Sequence, residues 1–177
     1  YTTGVTTTGT PGSAGAKTTI VVASGAPVLH YYCSAHSGMG GQANTNSTAG
    51  ASNFDGGIQA TVRANLTVGF SIVKWTAPTW NGSPQSVGHG LNAAPSFIIT
   101  KGIENAASWY CYHKSLDASN PQDKYITLNG TGAAGTLADS WGTSAPDSTT
   151  FGDRQLGWTG GQDVIAYCFA PVAGYSA

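Results

Sequence analysis

Charge is what this chain has least of. Seven Lys or Arg and eight Asp or Glu are scattered through 177 residues, for a net charge of −1. Neither sign clusters, so the basic stripe of a nucleic-acid or anionic-membrane surface is excluded, and no nucleic-acid partner is expected. No apolar run reaches the roughly 18 residues of a membrane-spanning helix, and no basic-then-apolar leader opens the chain. The first residue is Tyr1 rather than Met, from which a longer or processed polypeptide is expected. Cysteine is scarce and odd in number (Cys33, Cys111, Cys168), which rules out a complete disulfide framework. A Gly-x-Ser-x-Gly elbow, a His-Glu-x-x-His helix and a phosphate loop are all missing, so the usual hydrolase, metalloprotease and nucleotide readings have no anchor.

What is present points to β-structure. There are 25 Gly, abundant Thr, Ser, Ala and Asn, and 18 aromatic residues as five Trp, eight Tyr and five Phe. With 40% hydrophobic residues the chain can bury real cores. Short β-branched and aromatic runs fall at 58–64, 70–76, 96–101, 108–113, 124–128, 149–152 and 164–170, separated by turn signals such as Asn81-Gly82-Ser83-Pro84 and Asn129-Gly130. Seven such runs predict an all-β fold, an antiparallel β-sandwich or barrel, over 53–177. Upstream, residues 1–16 read as an extended arm or linker, 17–23 and 28–33 as a β-hairpin within a 17–41 segment, and the polar tract 42–52 as a linker.

Candidate sites are few. Cys111 and Cys168 sit in apolar strand contexts that suit small buried hydrophobes, with a Cys111–Cys168 bridge as the alternative. His89 lies between Gly88 and Gly90 without a carboxylate at motif spacing and reads as a turn residue; His113 reads as a hydrogen-bonded structural histidine. Glycosidase chemistry needs two facing carboxylates, whereas the eight acids fall almost entirely in turns, where Asp serves local hydrogen bonds. Trp75, Trp80, Trp141 and Trp158 lie in or beside turns among Asn, Gly, Ser and Thr. They are the candidates for stacking on a sugar ring, the alternative being that they roof the core.

The densest reactive chemistry is His30-Tyr31-Tyr32-Cys33-Ser34-Ala35-His36-Ser37-Gly38-Met39-Gly40-Gly41. Thiol, imidazole and thioether are the ligands of blue-copper sites. Tyr32-Cys33-x-x-His36-x-x-Met39-Gly40 resembles the ligand loop of the cupredoxins, which makes Cys33, His36 and Met39 candidate metal ligands and a copper-binding electron-transfer protein one reading. The residues themselves favour a decayed or structural copy. Residues 1–29 contain no His, and in an extended strand His30 projects to the face opposite Cys33.

A second resemblance covers 53–177. Phe54-Asp55-Gly56, Thr61-Val62-Arg63-Ala64-Asn65, Val87-Gly88-His89-Gly90-Leu91, Tyr112-His113-Lys114-Ser115-Leu116, Ile165-Ala166-Tyr167-Cys168-Phe169-Ala170 and Gly174-Tyr175-Ser176 resemble an uncharacterised domain of tailed-bacteriophage virion and tail-fibre proteins. The resemblance implies a role rather than a chemistry. It implies a non-enzymatic structural or receptor-binding part of the virion, assembled in the host cytoplasm and then extracellular. No cofactor and no membrane insertion is implied; the partners would be other virion proteins and a host-surface glycan. The chain would be a homo-oligomer, a trimer by analogy with tail fibres, in which the 1–16 arm wraps a neighbour. A carbohydrate-binding module is the alternative from another class.

Overall fold

The computed structural model describes residues 4–10, 12–22, 29–33, 36, 38–43 and 50–174. They belong to two compact units, Tyr1–Thr48 and Ala49–Ala177. The described residues contain no α-helix, and none of their segments is a helix long and apolar enough to cross a membrane.

The first unit consists of two antiparallel hairpins. Strand β1 (Val5–Thr8) pairs with β2 (Lys17–Ile20), and β3 (Leu29–Tyr32) pairs with β4 (Gly40–Ala43). Both pairings correct the sequence expectation. Within 1–16, the residues Thr6, Thr7 and Thr8 are laddered to Lys17, Thr18 and Thr19 rather than forming an unpartnered arm, because β-branched Thr suits a pleated strand. The partner of β3 begins with two glycines, Gly40 and Gly41. Tyr31 stands opposite Gly41, and a Cβ on Gly41 would meet the Tyr31 ring. Glycine there makes room for an aromatic side chain lying across the ladder.

The second unit is an open eight-stranded antiparallel sheet with a small second sheet packed on one face. Its strands are β5 (Ala51–Asn53), β6 (Ala60–Asn65), β7 (Phe70–Thr76), β8 (Gln85–Gly88), β9 (Phe97–Gly102), β10 (Tyr110–His113), β11 (Lys124–Thr127), β12 (Gly135–Thr136), β13 (Thr150–Asp153) and β14 (Asp163–Phe169). The large sheet runs β12-β11-β10-β9-β14-β7-β6-β5, and β13 pairs with β8 in the small one. Its edge strands β5 and β12 do not pair, so the fold is sandwich-like and the barrel alternative is excluded. The expected 42–52 linker is also shortened from both sides: Gln42 and Ala43 belong to β4, and Ala51 to Asn53 form the edge strand β5. Residues 44–49 of that linker lie outside the described residues.

Alternation along the central strands sets the core. Val62, Val73, Ala166 and Thr100 share one row of the inner face, and Ala60, Trp75 and Val164 another, all of them buried. Onto this face pack Val87 and Phe151 of the small sheet, with Leu91, Trp141, Leu156 and Trp158 from the connecting loops. The two sheets are joined by main chain as well, since Ile58 donates its N–H to the Ser86 carbonyl (3.0 Å). At Gly152 a side chain is sterically barred: its N–H reaches the Trp141 carbonyl at 2.6 Å, and an added Cβ would collide with the backbone of Gly142.

Two units joined through a polar tract should come apart there. Limited proteolysis is expected to cut first between residues 43 and 51 and to leave a stable fragment beginning near Ala49. Protection of that stretch with first cleavage inside 95–128 would contradict the division.

Candidate functional site

Of the four tryptophans considered for sugar stacking, three roof the core, as the alternative reading had it. Trp75, Trp141 and Trp158 are only 2%, 2% and 4% exposed. Each indole N–H has a buried acceptor. Trp75 Nε1 donates to Asp153 Oδ2 (2.7 Å), Trp158 Nε1 to Asp153 Oδ1 (3.0 Å), and Trp141 Nε1 to the Lys124 carbonyl (2.8 Å). Their neighbouring Gly, Asn and Ser form the turns, while the rings point inward because these are the largest apolar surfaces available. Only Trp80 reaches the surface, at 39% exposure, with the Arg154 guanidinium 5.4 Å from its ring centre. A sugar platform built from the four is therefore ruled out.

Asp153 is the charged group that the sequence reading missed. It ends β13, is 3% exposed, and also accepts the Gln155 N–H at 2.7 Å. Burial raises its pKa, against the three donated hydrogen bonds. The other acids are engaged at turns. Asp117 accepts from Ser119 and Asn120, Asp123 from Asp139, and Asp147 from Thr149 and Thr150. Asp163 pairs with Lys74 at 2.6 Å, an exposed contact that lowers its pKa. Asp147 is pushed up by desolvation, but the Thr150 and Thr149 N–H bonds outweigh it and lower the pKa.

His89 is fully buried and held in one tautomer. Its Nδ1 accepts the Leu91 N–H at 3.2 Å, which leaves Nε2–H to donate to the Asp147 carbonyl at 3.2 Å, and burial lowers its pKa. Gly90 follows at φ 68°, as expected for a turn built on glycine. His113 Nδ1 accepts the Ser115 N–H at 3.1 Å and its ring lies 6.1 Å from Phe97. Cys111 and Cys168 are both free and buried. Cys168 is paired with Ile98 and Cys111 with Ile99, so the two lie on opposite faces of the sheet and no bridge joins them. Burial pushes the Cys168 thiol up to about 12, with Ser71 pulling the other way, which leaves it inert as a nucleophile.

Beside a bay of about 200 Å³ at the β1–β2 turn, two concavities are of interest. One, of about 200 Å³, is bordered by Gln85, Ser86, Thr143, Ser144 and Asp147 between the small sheet and the 141–150 loop. It falls below the roughly 300 Å³ at which small-molecule sites begin. The other, an open basin of about 590 Å³, is the turn of the β3–β4 hairpin and includes Cys33, His36 and Met39. The Cys33 N–H donates to the Met39 carbonyl (2.7 Å), and Cys33 Sγ lies 3.3 Å from His36 Nδ1. The structure thus brings Cys33 and His36 together, with Met39 exposed at the far end of the same turn.

A further feature spans the outer face of the large sheet. Rows of partners read Ile72, Tyr167, Ile99, Cys111 and Ile126, then Phe70, Phe169, Phe97 and His113. Phe70 and Phe97 flank Phe169 at centroid distances of 5.0 and 5.6 Å. These residues are half-buried apart from Cys111, which is buried, and Ile126, which is exposed. The sequence did carry a signal: Phe97-Ile98-Ile99 and 164–170 are apolar without alternation, the pattern of strands covered on both faces.

A family model described as a domain of unknown function (DUF7483) matches residues 42–177. No curated protein and no solved structure matches the chain.

Three outcomes are expected from this geometry. Asp153→Asn leaves one indole N–H facing an amide NH2, and equilibrium unfolding should show a loss of roughly 1–3 kcal/mol. Because the folded acid has a raised pKa, the native state keeps its proton to higher pH than the unfolded chain does. Its contribution to stability therefore falls as pH rises above about 4, opposite to Asp117, Asp147 and Asp163, whose contributions are lost as pH falls below that value. The gap between wild type and Asp153→Asn should accordingly narrow as pH rises above about 4; a gap that widens would refute the burial argument. Finally, adding Cu(II) should give no intense visible thiolate-to-copper band, since a trigonal plane of two His and one Cys is not assembled. A blue species lost in Cys33→Ser would overturn this.

Proposed function

The chain belongs to the DUF7483 family through residues 42–177, and on that premise we propose that it is a non-enzymatic, homo-oligomeric component of a bacteriophage particle, a tail fibre or other surface appendage. The observation that carries this reading is the outer face of the large sheet. Its two apolar rows extend over four to five strands, about 20–25 Å across at the usual strand spacing. Such a face is an association surface rather than a solvated one.

The occupant we assign to it is a second copy of this chain. Phe97 and Phe169 lie 5.6 Å apart at 29° and Phe70 and Tyr167 lie 6.4 Å apart at 10°, so the rings pack beside one another as one aromatic cluster on this face. A net charge of −1 adds little repulsion between copies. The face covers on the order of 400–500 Å² by strand spacing, about half of what each partner contributes to a standard interface. Assembly of the isolated chain is therefore concentration-dependent and is completed by neighbours in the particle. The resemblance of residues 53–177 to an uncharacterised domain of tailed-phage virion and tail-fibre proteins supports a role in a virion.

Sedimentation velocity on the full chain across a wide concentration range is the test. Wild type should shift to larger species as concentration rises, whereas Ile72→Glu with Ile126→Glu should stay monomeric with an unchanged circular dichroism spectrum. These two positions are outward-facing, and Arg63 stands across the ladder from Ile72, so the fold should tolerate them. A wild-type chain that is monomeric throughout would rule the proposal out.

A further inference from the structure

The chain contains two Asn-Gly dipeptides, Asn81-Gly82 and Asn129-Gly130, and the fold treats them differently. Asn81 lies in the exposed bend between β7 and β8. Its carboxamide oxygen is turned forward along the chain, where it accepts the Ser83 N–H at 3.1 Å and a Gln85 Nε2–H at 3.2 Å. The peptide N–H of Gly82 is engaged by none of the described hydrogen bonds. Gly82 has φ 96°, and apart from its chain neighbours no atom lies within 4 Å of where its side chain would begin, so that nitrogen is open to solvent. At Asn129 each condition is reversed. Its carboxamide oxygen is drawn across the hairpin to the Trp109 N–H (3.0 Å), the Gly130 N–H donates to the Thr127 carbonyl (3.1 Å), and the Thr127 side chain closes over Gly130.

We propose that Asn81 is a site of spontaneous deamidation and that Asn129 is protected from it. The Gly82 peptide nitrogen gives its proton to solvent base and attacks Asn81 Cγ. The N–Cγ bond forms, the Cγ–Nδ2 bond breaks, and ammonia leaves with a proton returned by solvent, which closes a succinimide ring. Water then adds at either ring carbonyl and opens the ring to aspartate or to isoaspartate; no electron is transferred. The Ser83 and Gln85 donors meet the oxygen on which negative charge develops as Cγ becomes tetrahedral, the arrangement that stabilises an oxyanion in acyl transfer. Each conversion replaces a neutral amide by a carboxylate and makes the net charge of −1 one unit more negative. The isoaspartate form also lengthens the main chain by one carbon, which dismantles the Asn81 contacts and loosens the bend beside Trp80. The site stands independently of the assembly reading.

The test ages the full chain at neutral pH and body temperature and follows it by tryptic peptide mapping, since peptides 75–101 and 125–154 carry one Asn-Gly each. Peptide 75–101 should progressively shift by the mass difference between an amide and an acid, with fragmentation placing the change at Asn81 and enzymatic methyl-esterification reporting isoaspartate. Peptide 125–154 should stay unchanged over the same period. Asn81→Gln should abolish the shift, and Gln85→Met, which removes one donor at similar size, should slow it by about threefold to tenfold, less than the loss of a donor from a closed oxyanion hole. In denaturant the two peptides should convert at similar rates. A difference that persists there would show that local sequence, not the fold, sets it, and would sink the assignment. An unaltered peptide 75–101, conversion at Asn129 at the same pace in the folded chain, or an unchanged rate in Gln85→Met would do so equally.

Discussion

The second unit depends on one buried carboxylate. Asp153 sits at the end of the small sheet, and its two oxygens take the indole N–H of Trp75, from the centre of the large sheet, and of Trp158, from the loop leading into β14. Sheet faces packed only by dispersion can slide; a carboxylate with both oxygens engaged by fixed donors cannot. The arrangement is costly to bury and costly to break, since removing either side leaves a polar group without a partner in an apolar core. The register of β13 on β8 sets Asp153 opposite Gln85, and the Trp75 to Phe151 edge contact (5.6 Å) fills the space beside it.

With the inner face closed in this way, the outer face becomes the conspicuous surface. The central strands are apolar on both sides, and only the inner side is roofed by β8, β13 and the tryptophan loops. The acids that a catalytic reading would need are held in turn hydrogen bonds or in the Asp153 clasp, and the buried histidine is fixed as a neutral strut. The first unit differs in kind: its hairpins are largely exposed, and its distinctive content is the soft-donor turn.

Much of the large sheet was legible beforehand. The run 70–76 coincides with β7, and 96–101, 124–128 and 164–170 fall within a residue or two of β9, β11 and β14, because β-branched and aromatic runs bounded by Gly, Asn and Pro are direct signals. The strands that went unread are those with weak local propensity. Gln85-Ser86-Val87-Gly88 becomes β8 only because β13 lies beside it, and Gly40-Gly41 becomes β4 only because Tyr31 and Tyr32 need a partner. The tryptophans were left between two readings for a related reason. Their neighbours are polar, but turn residues report the backbone's path and not the direction of the next ring, which is set by the sheet it returns to. Asp153 was hidden among acids such as Asp117 and Asp147 that do serve local turns; nothing in its flanking residues marks the two indoles, which lie 78 and 5 positions away.

The clasp can be observed directly by hydrogen exchange at the indole N–H of Trp75 and Trp158, followed by NMR in the intact chain. If Asp153 holds the layers together, both protons should exchange only through global unfolding, at rates matching the amides of β7 and β14 and rising together in Asp153→Asn. Exchange of either indole at the rate of the exposed Trp80 would show that the carboxylate does not join the two sheets.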